Sequence, residues 1–286
     1  QLNANMVYEG CLFEGNGVGQ AAQIITGSLT ANNCQFINNF CSFTWSNSIN
    51  IDNCLFQGNG NNIVGSPGII TNCQFIDNDF GLAEAYGHTI ENCYFQGNDV
   101  AIDNTGGANI TNTTFEENNI AVKLGDGSTL TNNIISNNNI FNFTNAGGTT
   151  NHIGYRNAAA LTTLSSWQSG SGQDALSLTL DPMFIAPATG DLTPQSAGSN
   201  NAGANLLTVV PTDILGTVRS ATPDPGAFEY TPAGCPPPFM LQTSNVSSTS
   251  LSLSWSGTNS GFEVEYGPVG FLPGLGTTVT SATTST

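Results

Sequence analysis

The chain has 286 residues, with only 3 Lys and Arg against 20 Asp and Glu, a formal charge of −17. That balance excludes nucleic acid and an anionic membrane surface as partners, because phosphate recognition needs a basic face. Few charges among many Asn, Thr, Ser and Gly read as an extracellular bacterial β protein, and no stretch is long and apolar enough to span a bilayer.

The chain begins at Gln1, without a start Met or a signal peptide, and reads as a mature chain or a fragment of something longer. Seven segments then repeat one phrase: Cys11-Leu-Phe13, Cys34-Gln-Phe36, Cys54-Leu-Phe56, Cys73-Gln-Phe75, Cys93-Tyr-Phe95, Thr113-Thr-Phe115 and Asn133-Ile-Ile135. Their first residues lie 23, 20, 19, 20, 20 and 20 positions apart. An Asn follows each first residue five positions on: Asn16, Asn39, Asn59, Asn78, Asn98, Asn118 and Asn138. A fixed period of this length is the mark of a solenoid.

Within a repeat the apolar residues alternate, as in Cys93 and Phe95, then Val100 and Ile102, then Ile110 of the next turn. A period of 2 belongs to strands, so three short strands per turn are expected. If each turn closes on itself, like residues stack about 4.8 Å apart. The Cys and Phe columns become buried apolar stacks. The Asn column is expected at a tight corner, tolerating left-handed angles and donating to the Asn one turn away. A second Asn column, Asn33, Asn53, Asn72, Asn92, Asn112 and Asn132, precedes the Cys column, and one of the two should face solvent. Between repeats the turns vary, as in Gly65-Ser-Pro67-Gly68 and Ala85-Tyr86-Gly87-His88, so any grafted site is expected at this corner or on the adjacent sheet face.

These stacked repeats resemble the right-handed parallel β-helix repeat shared by pectate lyases, polygalacturonases and many bacterial surface proteins, over roughly residues 1–150. The resemblance implies an all-β fold of about 20 residues per coil. It implies little about activity, because that fold hosts enzymes, adhesins and inert stalks.

Five of the seven Cys, Cys11, Cys34, Cys54, Cys73 and Cys93, share one column position, and stacked thiols explain them better than disulfides or zinc. Cys41 and Cys235 lie outside that column. Calcium stays open as a ligand of the acidic surface, although no Gly-Gly-x-Gly-x-Asp nonapeptide occurs.

After Asn145 the repeat fades, and residues 151–230 read as the last coils and an end module. Asp181-Pro-Met-Phe184, Gly190-Asp-Leu192, Asp213-Ile-Leu-Gly216, Arg219 and Asp224-Pro-Gly-Ala-Phe-Glu-Tyr230 are similar, in order and spacing, to the choice-of-anchor end module of bacterial surface β-helix proteins. That family's Ser-Pro-Ala-Ile-Asp-x-Gly segment reads Ser196-Ala-Gly-Ser-Asn-Asn-Ala-Gly203 here, without its Pro and Asp. Phe184, Phe228 and Tyr230 are expected to plug the last coil, and Arg219 to pair with Asp213 or Asp224.

Residues 231–238 form a Pro-rich, stiff linker. Beyond it, Ser250-Leu-Ser-Leu-Ser-Trp255 and Gly261-Phe-Glu-Val-Glu-Tyr266 resemble the opening strands of a fibronectin type III domain, which implies core positions for Trp255 and Tyr266. About 100 residues make such a sandwich, so residues 239–286 read as an incomplete one, with further modules expected downstream. Cys-Pro-Pro-Pro238 and Val264-Glu-Tyr-Gly-Pro268 resemble fibronectin modules of Bacteroidota surface proteins, which implies export by the type IX system.

Chemistry is sparse. Lys123, Arg156 and Arg219 are the whole basic stock, and neither a Gly-His-Gly nor an Arg-Ile-Lys motif occurs. His88 and His152 read as turn residues. Asp77 with Asp79 and Asp99 with Asp103 are the one acid/base option, for a polysaccharide lyase or glycoside hydrolase. Against it stands a non-catalytic stalk or adhesin on the outer cell surface, whose loops, with Phe43, Trp45 and Tyr86, touch a glycan or protein partner.

Overall fold

The computed structural model describes residues 5–17, 20–23, 27–44, 48–63, 67–83, 87–104, 107–124, 135–137, 139–143, 151–156, 159–231, 239–245, 247, 250, 252–256, 262–266 and 277–281. The chain divides into two compact units, Gln1–Tyr230 and Thr231–Thr286. The first is a parallel β-solenoid of about five regular turns with almost no helix.

Three columns of short parallel strands run along it. The first sheet stacks Met6–Glu9, Ser28–Asn32, Ser48–Asp52, Gly68–Thr71, Thr89–Glu91, Asn109–Thr111 and Ile135–Asn137. The second stacks Leu12–Glu14, Gln35–Ile37, Leu55–Gln57, Gln74–Ile76, Tyr94–Gln96, Thr114–Glu116, Ile140–Asn142 and Leu178–Thr179. The third stacks Phe80–Leu82, Val100–Asn104, Ile120–Leu124 and His152–Arg156, with Ala159–Leu161 added antiparallel. Single bridges from Cys41 to Asn61 and from Asn61 to Phe80 join it to the earlier pair Gln20–Gln23 and Cys41–Thr44.

Strand spacing sets the core. In-register pairing puts Phe13, Phe36, Phe56, Phe75, Phe95 and Phe115 in one column, with successive ring centroids 4.8, 4.8, 4.7, 4.6 and 5.4 Å apart and nearly parallel planes. Full burial of each ring from Phe36 to Phe115 contributes about 2 kcal/mol, while Phe13 is partly buried.

The corners hold a correction. The inner Asn residues are not the left-handed ones. Each coil instead bends through the residue before the Cys column, at Gly10, Asn33, Asn53, Asn72, Asn92 and Asn112, and again before the inner Asn, at Gly15, Asn38, Gly58, Asp77, Gly97 and Glu117, all with φ between 48° and 71°. Only Gly enters that region freely, with Asn and Asp next, which accounts for most of both columns. Glu117, at φ 49°, is the strained member.

The seventh repeat is also displaced. Ile135–Asn137 pairs with Asn109–Thr111 in the first sheet, whereas Phe141, 5.2 Å from Phe115, continues the ring column. The step from Thr113 to its counterpart Asn139 is 26 residues. Phe141 pairs in register with Phe115, and the step of 26 is six residues longer than the usual 20. Asn133 and Asn138 lie outside the described residues.

The last coil is closed by α1 (Leu164–Ser171), not by the expected aromatics. Thr163 and Ser166 form a capping box and Gly172 ends the helix in the left-handed region. This buries Trp167 fully in the same apolar cluster as Phe141 and Ile153, and its indole N–H donates to Asp174 Oδ2 at 2.7 Å. Gly154 makes room: a Cβ there would stand 2.1 Å from the Trp167 ring.

Residues 181–230 run back along the outside of the second sheet. Phe184 and Phe228 meet Tyr94 edge-on at 5.7 and 5.4 Å, so these two rings cover a side of the solenoid and do not plug its end.

In the second unit, Phe239–Ser244 pairs antiparallel with Ser252–Ser256, and Phe262–Tyr266 with Thr277–Ser281. Trp255 is buried there, but Tyr266, at its strand's end, is 55% exposed and is not a core aromatic. Residues 232–238, with Cys235, lie outside the described residues.

Candidate functional site

Inside the solenoid the amides of the inner Asn column are bonded from coil to coil. Asn39, Asn59, Asn78, Asn98 and Asn118 each accept twice on Oδ1 from the coil before. Asn16 donates its N–H and Nδ2 to Asn39, Asn39 to Asn59, Asn59 to Asn78, Asn78 to Asn98 and Asn98 to Asn118. The Nδ2 groups of Asn39, Asn59, Asn78, Asn98 and Asn118 also reach the carbonyls of Phe13, Phe36, Phe56, Phe75 and Phe95. Buried amides are tolerated because donor and acceptor are matched coil by coil.

Cys11, Cys34, Cys54, Cys73 and Cys93 are free thiols. Cys34, Cys54, Cys73 and Cys93 donate to the carbonyl two residues back at 3.2, 3.2, 3.0 and 3.3 Å, and Thr113 Oγ1 reproduces that bond at 3.2 Å. A hydroxyl therefore keeps the bond that the thiol makes. Burial pushes the Cys34 thiol up to about 11 and Cys73 well above the ordinary thiol range. Cys41 is buried at the start of its strand.

On the outside of the second sheet, the residue between Cys and Phe forms a strip: Leu12, Gln35, Leu55, Gln74, Tyr94, Thr114 and Ile140. Beside it runs the outer Asn column. The far half of this strip is occupied by residues 181–230. Gly226 sits so close that a Cβ would be 2.7 Å from Thr114 Oγ1, and the Ala227 N–H donates to that oxygen at 3.0 Å. Phe228 covers Tyr94, and the Tyr94 hydroxyl donates to Glu116 Oε2. Burial drives the Tyr94 pKa far up, helped by the charge of Glu116, and burial likewise raises Glu116.

Arg219 pins this cover. Contrary to expectation, its ion pair is with Glu229 rather than with Asp213 or Asp224. Its remaining donors go to the carbonyls of Thr212, Asp224 and Gly226 and to Asn92 Oδ1 at 2.8 Å. Asp213 and Asp224 are taken by backbone N–H groups, of Leu215, Thr217 and Glu229 for the first and of Asn201 and Tyr230 for the second. Burial lowers the Arg219 pKa and raises that of Glu229.

The near half of the strip is open. Asn33, Gln35, Asn53, Leu55, Asn72 and Gln74 line a shallow depression of about 260 Å³. Its amides are held in a chain, with Asn33 Nδ2 on Glu9 Oε1, Asn53 Nδ2 on Asn33 Oδ1, Asn72 Nδ2 on Asp52 Oδ1 and Asn92 Nδ2 on Asn72 Oδ1. The outer Asn column is thus the solvent-facing one at Asn33 and Asn53 and is buried at Asn92 and Asn112.

The corner carboxylates are engaged between coils. Asp99 accepts from Asn119 Nδ2 at 2.8 Å, and Asp103 pairs with Lys123 at 3.1 Å. His88 is buried, and its carbonyl accepts from Asn109. His152 pairs with Ile120 in the third sheet. Phe43 lies in the strand Cys41–Thr44, while Trp45 and Tyr86 fall outside the described residues. Among the described residues no group of three or more His, Cys, Asp or Glu is placed to hold a metal ion, and no helix is long and apolar enough to cross a membrane.

Sequence reasoning missed the cover on Tyr94. Its signal was the aromatic at one outward position of a column that otherwise carries Leu, Gln, Thr and Ile. No protein-family model, no curated protein and no solved structure matches the chain.

Proposed function

We propose that the chain is a non-catalytic module of a secreted or cell-surface protein, a stiff stalk whose open amide strip contacts a glycan or protein. The observation that carries this reading is the asymmetry of the second sheet's outer face: the chain's own residues 181–230 seal one half, and the other half presents Asn33, Gln35, Asn53, Asn72 and Gln74 to solvent around a depression. Side-chain amides carry a donor and an acceptor each, which suits hydroxyl-rich or peptide ligands, and the formal charge of −17 favours neutral or cationic ones.

Finer readings belong to the same proposal. The way Gly226, Ala227, Phe228 and Glu229 each make a distinct contact supports a choice-of-anchor type end module on a right-handed β-helix. The two antiparallel pairs of the second unit support a fibronectin type III-like domain, and with it the Bacteroidota and type IX export reading.

The test is titration of the protein against a panel of neutral, cationic and anionic polysaccharides by calorimetry, with product release followed in parallel. Saturable binding lost in Asn53→Leu/Gln74→Leu, without new reducing ends, supports the proposal. Release of oligosaccharide, abolished by Asp99→Asn or Asp103→Asn, would replace it with the glycan-cleaving alternative.

A further inference from the structure

The outer Asn column is broken into two runs of side-chain hydrogen bonds, and each run starts on a carboxylate. In the covered run, Asn72 Nδ2 donates to Asp52 Oδ1 at 2.7 Å and Asn92 Nδ2 to Asn72 Oδ1 at 2.6 Å, and Arg219 Nη2 closes the row on Asn92 Oδ1 at 2.8 Å. In the open run, Asn33 Nδ2 donates to Glu9 Oε1 and Asn53 Nδ2 to Asn33 Oδ1, both at 2.6 Å. This run ends on Asn53 Oδ1, which accepts from no donor among the described residues.

The break lies inside the column, between Asn53 and Asn72. Asn72 stands one coil on and would continue the open run, but Asp52 Oδ1 draws its amide away and takes the Thr71 hydroxyl as well, at 2.7 Å. The two runs therefore share one order, a carboxylate followed by two amides. Hydrogen bonds in such a row polarise one another, so negative character gathers on the last Oδ1. In the covered run that oxygen receives a guanidinium, a charge-assisted donor. Asn53 Oδ1 is the matching end of the open run, on the surface of the depression that Gln35, Leu55 and Gln74 also line. Its charged neighbour in sequence is Asp52, and no basic residue is among those lining the depression.

We propose that Asn53 seats an arginine side chain from a peptide segment of a partner protein, held as Asn92 holds Arg219, with its methylene stem along Leu55. The proposal rests on the reading of the open strip as a contact surface and names the chemistry of its partner. Cations within these 286 residues are placed elsewhere: Lys123 pairs with Asp103, Arg219 pairs with Glu229, and Arg156 ends a strand of the third sheet. The formal charge of −17 favours the approach of a cationic segment. Lysine is the poorer fit, because its ammonium is a compact point charge, whereas the planar fork of Arg219 serves Asn92, Glu229 and backbone carbonyls together.

The probe is a blocked peptide, acetyl-Gly-Ala-Thr-Arg-Thr-Ala-Gly amide, titrated into the full chain and followed by calorimetry and by the side-chain amide signals in NMR. Two further peptides carry citrulline or Lys in place of the Arg. The Arg peptide should bind saturably and shift the Asn53 and Asn33 amide signals. Citrulline keeps the shape without the charge and should bind at least about ten-fold more weakly, with Lys in between. Asn53→Gly keeps the left-handed angle, as Gly10 does in the same column, and should weaken the Arg peptide at least about ten-fold. Equal binding of the Arg and citrulline peptides, or unchanged binding in Asn53→Gly, would overturn the proposal. If the Arg peptide fails while a neutral polysaccharide binds and is lost in Asn53→Leu/Gln74→Leu, the arginine assignment falls and the wider reading of the strip stands. If no probe binds, both fall. A solution dimer dispersed by Arg156→Gln would make a second copy the occupant and would equally overturn the proposal.

Discussion

Asn98 Oδ1 accepts two hydrogen bonds from one residue, the backbone N–H of Asn78 at 3.0 Å and its side-chain Nδ2 at 2.8 Å. The same Nδ2 reaches the carbonyl of Phe56 at 3.1 Å. Asn78→Asp keeps the shape but turns that donor into an oxygen facing two acceptors inside the core. The cost at pH 7 should be about 3 kcal/mol or more. Burial raises the pKa of such a carboxyl, so its protonated form restores a donor as pH falls. Urea unfolding should show the loss shrinking between pH 7 and pH 4; a loss independent of pH would remove this account.

Gly97 combines two constraints. Its φ is 64°, and a Cβ would stand 2.2 Å from Asp77 Oδ1. Along this corner, residues with side chains alternate with Gly, so Asn38 folds over Gly58 and Asp77 over Gly97. Gly97→Ala should cost about 1–3 kcal/mol. Asp77→Gly/Gly97→Ala removes the collision and should retain only the left-handed penalty of about 1 kcal/mol. Calorimetric Tm values of the three proteins check the order.

Arg219 and Glu229 are a buried pair, with the Arg219 side chain fully inaccessible. Arg219→Met leaves Glu229 without its cation and Asn92 Oδ1 without a donor, and should cost about 3–5 kcal/mol. Arg219→Met/Glu229→Met should cost less than the single change, because no uncompensated charge remains. Equal losses would show that the fork to the three carbonyls, not the ion pair, dominates.

Stability should respond to pH in an unusual direction. Burial raises Glu91, Glu116 and Glu229, so the folded chain holds their protons more tightly than the unfolded chain. Their contribution is complete below the ordinary carboxylate pKa and is lost as pH rises through the folded values. The groups facing Glu116 are the Tyr94 hydroxyl and Asn142 Nδ2, with the charges of Asp181 and Glu117 adding to the upward push. Tm should therefore increase from pH 7 to pH 5, and Glu116→Gln should flatten that slope. A slope unchanged by Glu116→Gln would move the effect to the other two carboxyls.

The repeat was legible because a parallel solenoid maps sequence period directly onto ladder register, so Cys34, Phe36 and Asn39 predict their neighbours one turn on. Register was lost at Asn133 because spacing alone cannot see a lengthened turn; only the ring at Phe141 marks the resumed column. The two Asn columns look alike in sequence, yet one is placed by amide pairing and the other by backbone angle, a difference that composition does not carry. The cover over Tyr94 depends on contacts more than 110 residues apart, such as Ala227 with Thr114, which no local pattern encodes. The open amide depression is likewise defined by where that cover stops.

Trp167 is the fully buried side chain of α1, and its removal tests whether the solenoid is held shut there. Its ring touches the backbone of Gly154 closely enough to exclude any side chain at that position, and its N–H satisfies Asp174. Trp167→Ala should cost about 3–5 kcal/mol. Asp174 keeps Ser177 Oγ and Asn139 Nδ2 as donors, so most of that loss is packing. Trp167→Phe, which keeps much of the volume but leaves Asp174 Oδ2 without its donor, should cost about 1–3 kcal/mol. Because each coil of a solenoid is held by its neighbours, the damage should be graded along the axis. Hydrogen exchange of the Phe141 and Ile153 amides should accelerate first, while that of Phe56, several coils away, stays slow. Uniform acceleration along the chain would mean that the first unit unfolds as a single block and that α1 is not a local closure.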